Sequence, residues 1–123
     1  MTTHPPSFLA LDGELPAALG ELLQACAGDE DEFGERLAWT REDICARNLE
    51  MRSTEALRSL YMPFDHLLFF SAAGDGDLFA LAVDADGQVR RPDVFVWEHE
   101  TDSRRWFAGG AGHYLALRRG DRE

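Results

Sequence analysis

The chain has 123 residues and a formal net charge of −11, because 23 Asp and Glu residues face 12 basic residues, every one of them Arg. This length is typical of one domain, and we expect a single domain over residues 1–123 in which residues 1–14 form a partly flexible tail. Proteins that bind phosphates need a basic footprint, so the charge argues against nucleic acid and anionic membranes and favours a basic protein partner. The alternative is that the acidity only keeps a small protein soluble.

The sequence also indicates a cellular compartment. No apolar run approaches the roughly 20 residues that span a bilayer, and residues 1–16 lack the basic start and apolar core of a secretory signal. Cys26 and Cys45 form neither a CxxC pair nor a zinc-type spacing with His, which favours reduced, buried thiols over a disulfide. We therefore expect a cytoplasmic protein, and the sequence leaves its oligomeric state open.

Residues 13–28 predict the first helix. Pro16 is tolerated in a first turn, and Gly28 is suited to the end of the helix. The apolar residues recur at helical spacing and should face inward: Leu15, Leu19, Leu22, Leu23 and Cys26. An acidic loop follows at residues 29–35.

A second helix has a clear start signal. Thr40 and Asp43 have the spacing of a helix-capping pair, and the helical pattern then runs to about Leu60 with room for a break near Ser53–Thr54. The positions expected to face inward are Ile44, Cys45, Leu49, Leu57 and Leu60.

The second half of the chain predicts strands. Residues 67–70, "LLFF", and residues 78–83, "LFALAV", are continuously apolar, which is typical of central strands buried on both faces. Asp84–Gly87 is a strong turn signal, and residues 88–91 should begin the returning strand. Pro92 cannot donate to a sheet ladder and should lie at an edge, a bulge or a break.

The remaining elements complete an α+β pattern. Residues 93–97, "DVFVW", predict another strand with two apolar faces, and residues 105–107 predict a short fourth one. Tyr114, Leu115 and Leu117 indicate a short terminal helix. We therefore predict an antiparallel-rich, mixed and curved sheet flanked by N-terminal helices and a short C-terminal helix.

The segment from Glu98 to Asp102 is the most polar one next to a predicted strand. If that strand continues, Glu98, Glu100 and Asp102 share one face while Trp97 and His99 share the other. Such a cluster is interpreted as a solvated strand end, a binding rim, or a catalytic or metal site. The last is disfavoured, because adjacent acids in water lack the burial that separates the pKa values of catalytic carboxylate pairs.

No other motif predicts chemistry. The glycines match neither the Walker pattern nor GxGxxG, there is no GxSxG, and neither cysteine has a reactive signature. The segments 75–77 and 84–87 lack the ligand pattern of a calcium loop. His4 belongs to the tail, while His66 and His113 are isolated among apolar residues and are interpreted as structural. We expect no enzyme activity, no catalytic residue, no cofactor and no metal.

Two stretches of the second half, "DHLLFFSAAGDGDLFALAV" and "DVFVWEHETDSRRWFAGGAGHYL", resemble the SMI1/KNR4 family of the SUKH superfamily. The resemblance covers residues 63–117 and departs from the family at "AGGAG", where a polar residue more often precedes the last helix. The matching positions are Gly76-Asp77, Phe79-Ala80, Val94–Glu100, Trp106–Ala108 and Tyr114-Leu115.

The resemblance implies a non-enzymatic α+β domain that binds proteins. Many bacterial members resemble immunity proteins that neutralise a toxin domain, often a nuclease, and eukaryotic relatives resemble general interaction and regulatory modules. We expect the partner, in the first case a basic toxin domain, to contact Asp75, Asp77, Glu98, His99, Glu100 and Asp102. Trp97 and Trp106 are candidate aromatic anchors for it, although a core position is the favoured interpretation of both.

Overall fold

The computed structural model describes residues 15–26, 28–31 and 34–120, so the predicted tail and part of the acidic loop lie outside the described residues. The helices are α1 (Ala17–Ala25), α2 (Arg41–Ser53), α3 (Glu55–Leu60) and α4 (Ala111–Arg118). The strands are β1 (Leu67–Ala72), β2 (Leu78–Ala82), β3 (Val94–Glu98) and β4 (Ser103–Ala108). They form one sheet in the order β1-β2-β3-β4 with every neighbouring pair antiparallel, which confirms the α+β prediction.

The N-terminal helices form where the pattern predicted them. Leu19, Leu22 and Cys26 of the α1 stripe are buried. The Oγ1 of Thr40 accepts a hydrogen bond from the Asp43 backbone N–H at 3.2 Å, so the predicted cap is present. The predicted break is also present, since Thr54 has extended backbone angles between α2 and α3.

Two predicted inward positions are wrong. Leu49 is 39% exposed and Leu60 is 73% exposed. The buried side of α2 is formed by Ile44, Cys45 and Asn48, and Leu49 lies about 100° around the helix from Asn48, outside that side. Leu60 ends a helix of 6 residues without a buried side chain.

Strand β1 lies at an edge of the sheet, although its apolar run predicted a central strand. Its free edge is closed by side chains and a loop in place of another strand. Asn48 donates from Nδ2 to the Phe69 carbonyl at 2.8 Å and accepts from the Phe69 N–H at 2.8 Å. The Trp39 N–H donates to the Phe70 carbonyl at 2.8 Å, and Arg52 donates to the Leu67 carbonyl at 2.9 Å. This closure explains how an edge strand can be buried from Leu67 to Ser71.

Aromatic side chains fill the core on both faces of the sheet. On one face Trp97 packs edge-on against Phe64, with ring centroids 5.2 Å apart. On the other face Tyr114 of α4 packs edge-on against Phe79 at 5.3 Å. The Tyr114 hydroxyl donates to the Leu37 carbonyl at 2.6 Å, and burial raises the pKa of this phenol to about 12. Helix α4 is thereby fixed to the sheet, although Gly110 supplies no side-chain cap.

The connection between β2 and β3 differs from its prediction. The turn forms with Gly87 at φ +82°, but residues 88–93 are not part of a strand and β3 begins at Val94. Arg90 binds the carboxylates of both Asp84 and Asp86, at 2.7 and 2.6 Å, which holds the segment against the turn. Pro92 then separates it from β3, because its nitrogen cannot donate to β2.

Candidate functional site

The hairpin formed by β3 and β4 carries most of the predicted site residues. Strand β3 ends at Glu98, and residues 99–102 form a turn. The Glu98 carbonyl accepts from the Asp102 N–H at 2.8 Å, and Asp102 has φ +59°, in the left-handed region that Asp tolerates better than most residues. The strand therefore does not continue, and Glu98, Glu100 and Asp102 do not share one strand face, because the chain reverses between them.

Asp102 points into the protein. Its Oδ1 accepts from Trp97 Nε1 and from Arg104, both at 2.7 Å, and its Oδ2 accepts from the Met62 N–H at 2.9 Å. Desolvation raises the pKa of the Asp102 carboxyl, but these hydrogen bonds outweigh it and hold the pKa below its ordinary value. Asp102 is a structural residue of the hairpin.

Arg104 completes this attachment. Its side chain is 10% exposed and donates to the carbonyls of Met62 and Pro63, both at 2.9 Å. It also donates to Nε2 of His66 at 2.7 Å. Desolvation and the Arg104 charge lower the pKa of His66, which favours the neutral imidazole that can accept this bond. The pair of Asp102 and Arg104 thus joins the hairpin to the segment before β1.

Asp77 and His99 form a second internal pair. The Asp77 Oδ1 lies 2.7 Å from His99 Nδ1 and accepts from the His99 backbone N–H at 3.1 Å. Gly76 lies against the imidazole with φ +100°, and a Cβ there would be 2.6 Å from His99 Cε1. Only glycine fits this position, so the loop before β2 and the hairpin turn are packed together.

A third pair removes Glu98 from the predicted rim. Arg105 donates from Nε and Nη2 to the two Glu98 carboxylate oxygens, at 3.0 and 2.9 Å. These residues are diagonal neighbours across the β3–β4 ladder, where opposite charges stabilise a hairpin. Asp75 and Glu100 remain: both are exposed, and within the described ranges neither forms a salt bridge. We call these two residues the acidic rim.

The two tryptophans have opposite environments. Trp97 is 4% exposed and packs on Tyr61 and Phe64, so it is a core residue and cannot act as a surface anchor. Trp106 is 55% exposed, so the core interpretation was wrong for it. Its Nε1 donates to the Asp93 carboxylate at 2.8 Å, and this bond orients the exposed indole on the surface of the sheet.

A β-bulge explains why the exposure of Trp106 could not be predicted from the sequence. The register of β3 and β4 shifts between Val94 and Phe95, so that Phe107 has no direct partner and turns toward Phe79 in the core. Trp106 then faces outward beside it. Consecutive aromatic residues in a strand do not indicate which of the two is buried.

The comparisons with known proteins concern the family alone. A SUKH family model, described as SMI1-KNR4 cell-wall, matches residues 9–115, which include all of the hairpin. No curated protein and no solved structure matches the chain. Among the described residues there is no group of three His, Cys, Asp or Glu side chains that could hold a metal, and no helix is long and apolar enough to cross a bilayer.

Proposed function

The chain belongs to the SMI1-KNR4 cell-wall family, and we propose that it is a non-enzymatic protein-binding domain that acts as an immunity protein, neutralising a basic toxin domain such as a nuclease. The observation that carries this proposal is the net charge of −11. A surface of this charge attracts a basic protein over several ångströms and raises the rate of encounter. Like its expected toxin, the protein acts in the cytoplasm.

The use of the polar side chains supports binding over catalysis. A His–Asp pair such as His99 and Asp77 orients the imidazole in many hydrolases, where the other ring nitrogen activates a hydroxyl or thiol. No Ser, Thr or Cys in the described part of the chain forms a hydrogen bond with His99. The imidazole instead packs on Gly76 and joins two loops. These contacts favour a structural pair.

The acidic rim, with Glu100 in the hairpin turn and Asp75 in the loop before β2, is the part of this surface that a partner would contact first. The carboxylates of Asp77, Glu98 and Asp102 are already paired with His99, Arg105 and Arg104. A partner would have to break these pairs, at a cost in free energy, to use the same carboxylates. Asp75 and Glu100 have no ion pair to break, although the Asp75 Oδ1 accepts from the Asp77 N–H at 3.1 Å, and both can pair with Arg or Lys of the partner directly.

The proposal is tested by capturing the partner and then measuring neutralisation. Tagged protein is incubated with lysate of the source organism and washed at about 50 mM and about 500 mM salt, where the Debye lengths are about 14 and 4 Å. We expect one basic protein that is retained at low salt and lost at high salt. Its expression alone should arrest growth, and co-expression with the chain should restore growth. No basic partner at either salt, or no restoration, contradicts the proposal.

A second candidate function is a general interaction or regulatory module without a toxin. The family description refers to the cell wall, which favours such a role in the relatives that give the family its name. Several unrelated partners in the same capture experiment would support it. A neighbouring gene for a large secreted protein with a toxin-like C-terminus would favour the immunity function instead.

A further inference from the structure

The two edges of the sheet differ in whether their backbone groups have hydrogen-bond partners. The edge of β1 is closed by the backbone of Trp39 and the side chains of Asn48 and Arg52. Strand β4 forms the other edge. In the part of the chain that the structure describes, no segment pairs with the outer side of β4. Alternate N–H and C=O groups along β4 therefore point away from β3 without a strand to receive them.

Most of strand β4 is free of the features that usually prevent an edge from pairing. The strand contains no proline, its register with β3 is regular from Ser103 to Trp106, and its bulge lies beyond that stretch, at Phe107. Arg104 is turned inward onto the carbonyls before β1, and Arg105 is held by Glu98. Neither guanidinium is free to repel an approaching strand.

Suitable side chains lie at both ends of this edge. Trp106, held by Asp93, offers an exposed and oriented apolar surface. The acidic rim lies at the hairpin end, where Glu100 belongs to the turn and the Asp75 loop is joined to that turn by Asp77 and His99. Ser103 and Trp106 are three residues apart, or about 10 Å along a strand.

We infer that β4 binds an extended basic segment of the partner protein as a fifth strand of the sheet. Backbone hydrogen bonds to β4 supply affinity, an apolar residue of the segment packs on Trp106, and an Arg or Lys reaches Glu100 or Asp75. The inference rests on the proposed function and specifies its binding mode. Charge complementarity favours a basic segment as the occupant of this edge. A second copy of the chain also carries a net charge of −11 and would be repelled.

The test uses the full chain and a synthetic peptide of nine residues that alternates Arg and Val, acetylated and amidated at its ends. A matched peptide carries N-methyl groups on alternate amides, which removes donors without changing charge or side chains. Binding is measured by fluorescence anisotropy at low salt, and amide hydrogen exchange is followed along β4. We expect the parent peptide to bind, to slow exchange in β4 by about tenfold or more, and to lose affinity on N-methylation.

Two substitutions locate the contact. Trp106→Ala should weaken peptide binding about tenfold, whereas Leu49→Ala, which removes an exposed apolar side chain from α2, should leave it unchanged. Equal binding of both peptides would indicate simple charge attraction and overturn the inference. So would slow exchange of β4 in the free monomer, which indicates an edge already covered, or a dimer protected at β4, which indicates a second copy.

The inference and the proposed function can fail separately. If a basic toxin is captured and neutralised but binds the Trp106→Ala variant as tightly as the unmodified chain, the toxin uses another surface and the inference is wrong. If no toxin exists but the peptide binds at β4 as described, the binding mode stands and the immunity function is wrong.

Discussion

Replacing Asp102 with Asn tests whether this carboxylate stabilises the hairpin, in contrast to the exposed carboxylates of the acidic rim. Asn adopts the left-handed backbone of position 102 readily, so the substitution removes the charge without a backbone penalty. The Asn oxygen can still accept from Trp97, but the ion pair with Arg104, whose side chain is 10% exposed, is lost, as is the bond from the Met62 N–H. A hydrogen bond to a charged group contributes about 1.5–3 kcal/mol and a neutral one about 1 kcal/mol, so the free energy of unfolding should fall by about 2–4 kcal/mol.

The assay is urea unfolding at pH 7, followed by tryptophan fluorescence. Glu100→Gln is the matched control, because it removes the same charge two residues earlier from an exposed side chain, and it should change the free energy of unfolding by less than about 0.5 kcal/mol. If the two variants are equally stable, Asp102 does not hold the hairpin, and our division of the acidic residues is wrong.

The pH dependence gives an independent check on the same variant. The pKa of Asp102 is lowered in the folded protein, so its contribution is fully present above the unfolded pKa of about 3.9 and is lost as the pH falls through the folded pKa. The difference in stability between the parent chain and Asp102→Asn should therefore be constant near neutral pH and shrink in acid. A difference that persists at the lowest pH at which the chain still folds would contradict an electrostatic origin.

Three further predictions concern stability, each measured by urea unfolding. Gly76→Ala should lower the free energy of unfolding by about 1–3 kcal/mol, because a Cβ would meet His99 and the backbone has φ +100°. The control Gly20→Ala, in a helix with free space around the Cβ, should raise the free energy of unfolding by up to about 1 kcal/mol. Asn48→Ala should lower the free energy of unfolding by about 3 kcal/mol or more and speed amide exchange at Phe69, whose N–H and C=O lose their partner. An unchanged exchange rate at Phe69 would be evidence against closure of the β1 edge by Asn48. Trp97→Ala should lower the free energy of unfolding by about 3–5 kcal/mol, whereas Trp106→Ala should lower it by less than about 1 kcal/mol. Equal losses would refute the assignment of Trp97 to the core and Trp106 to the surface.

Local patterns predicted the elements well, because each depends on neighbours in the chain. The α1 stripe, the cap at Thr40, the break at Thr54 and the four strands all follow from spacing and turn residues. The position of β1 in the sheet did not follow. Its edge is closed by Trp39, Asn48 and Arg52, and a polar residue on a helix, such as Asn48, gives no sign that it will satisfy a strand edge.

The sequence predicted where the acidic residues lie along the chain's elements but not how they pair with one another's neighbours. The sequence placed an acidic group at the end of β3, and the acidic group is there. A single residue with positive φ, Asp102, turns one carboxylate inward and reverses the chain, which period-2 alternation cannot anticipate. Glu98 is paired with Arg105 of β4, and Asp77 is paired with the imidazole of His99 in the turn, so only the three-dimensional contacts identify Asp75 and Glu100 as available.

The most direct test of the central claim is the affinity of the captured basic partner for the parent chain and for the double variant Asp75→Asn, Glu100→Gln, measured over a range of salt concentrations. Exposed ion pairs contribute about 0.2–1 kcal/mol each, so the dissociation constant should rise about 2- to 30-fold at low salt. Most of this change should lie in the association rate, and the two proteins should converge at high salt. An affinity that is unchanged by the double variant and insensitive to salt would contradict an acidic surface that recognises a basic protein.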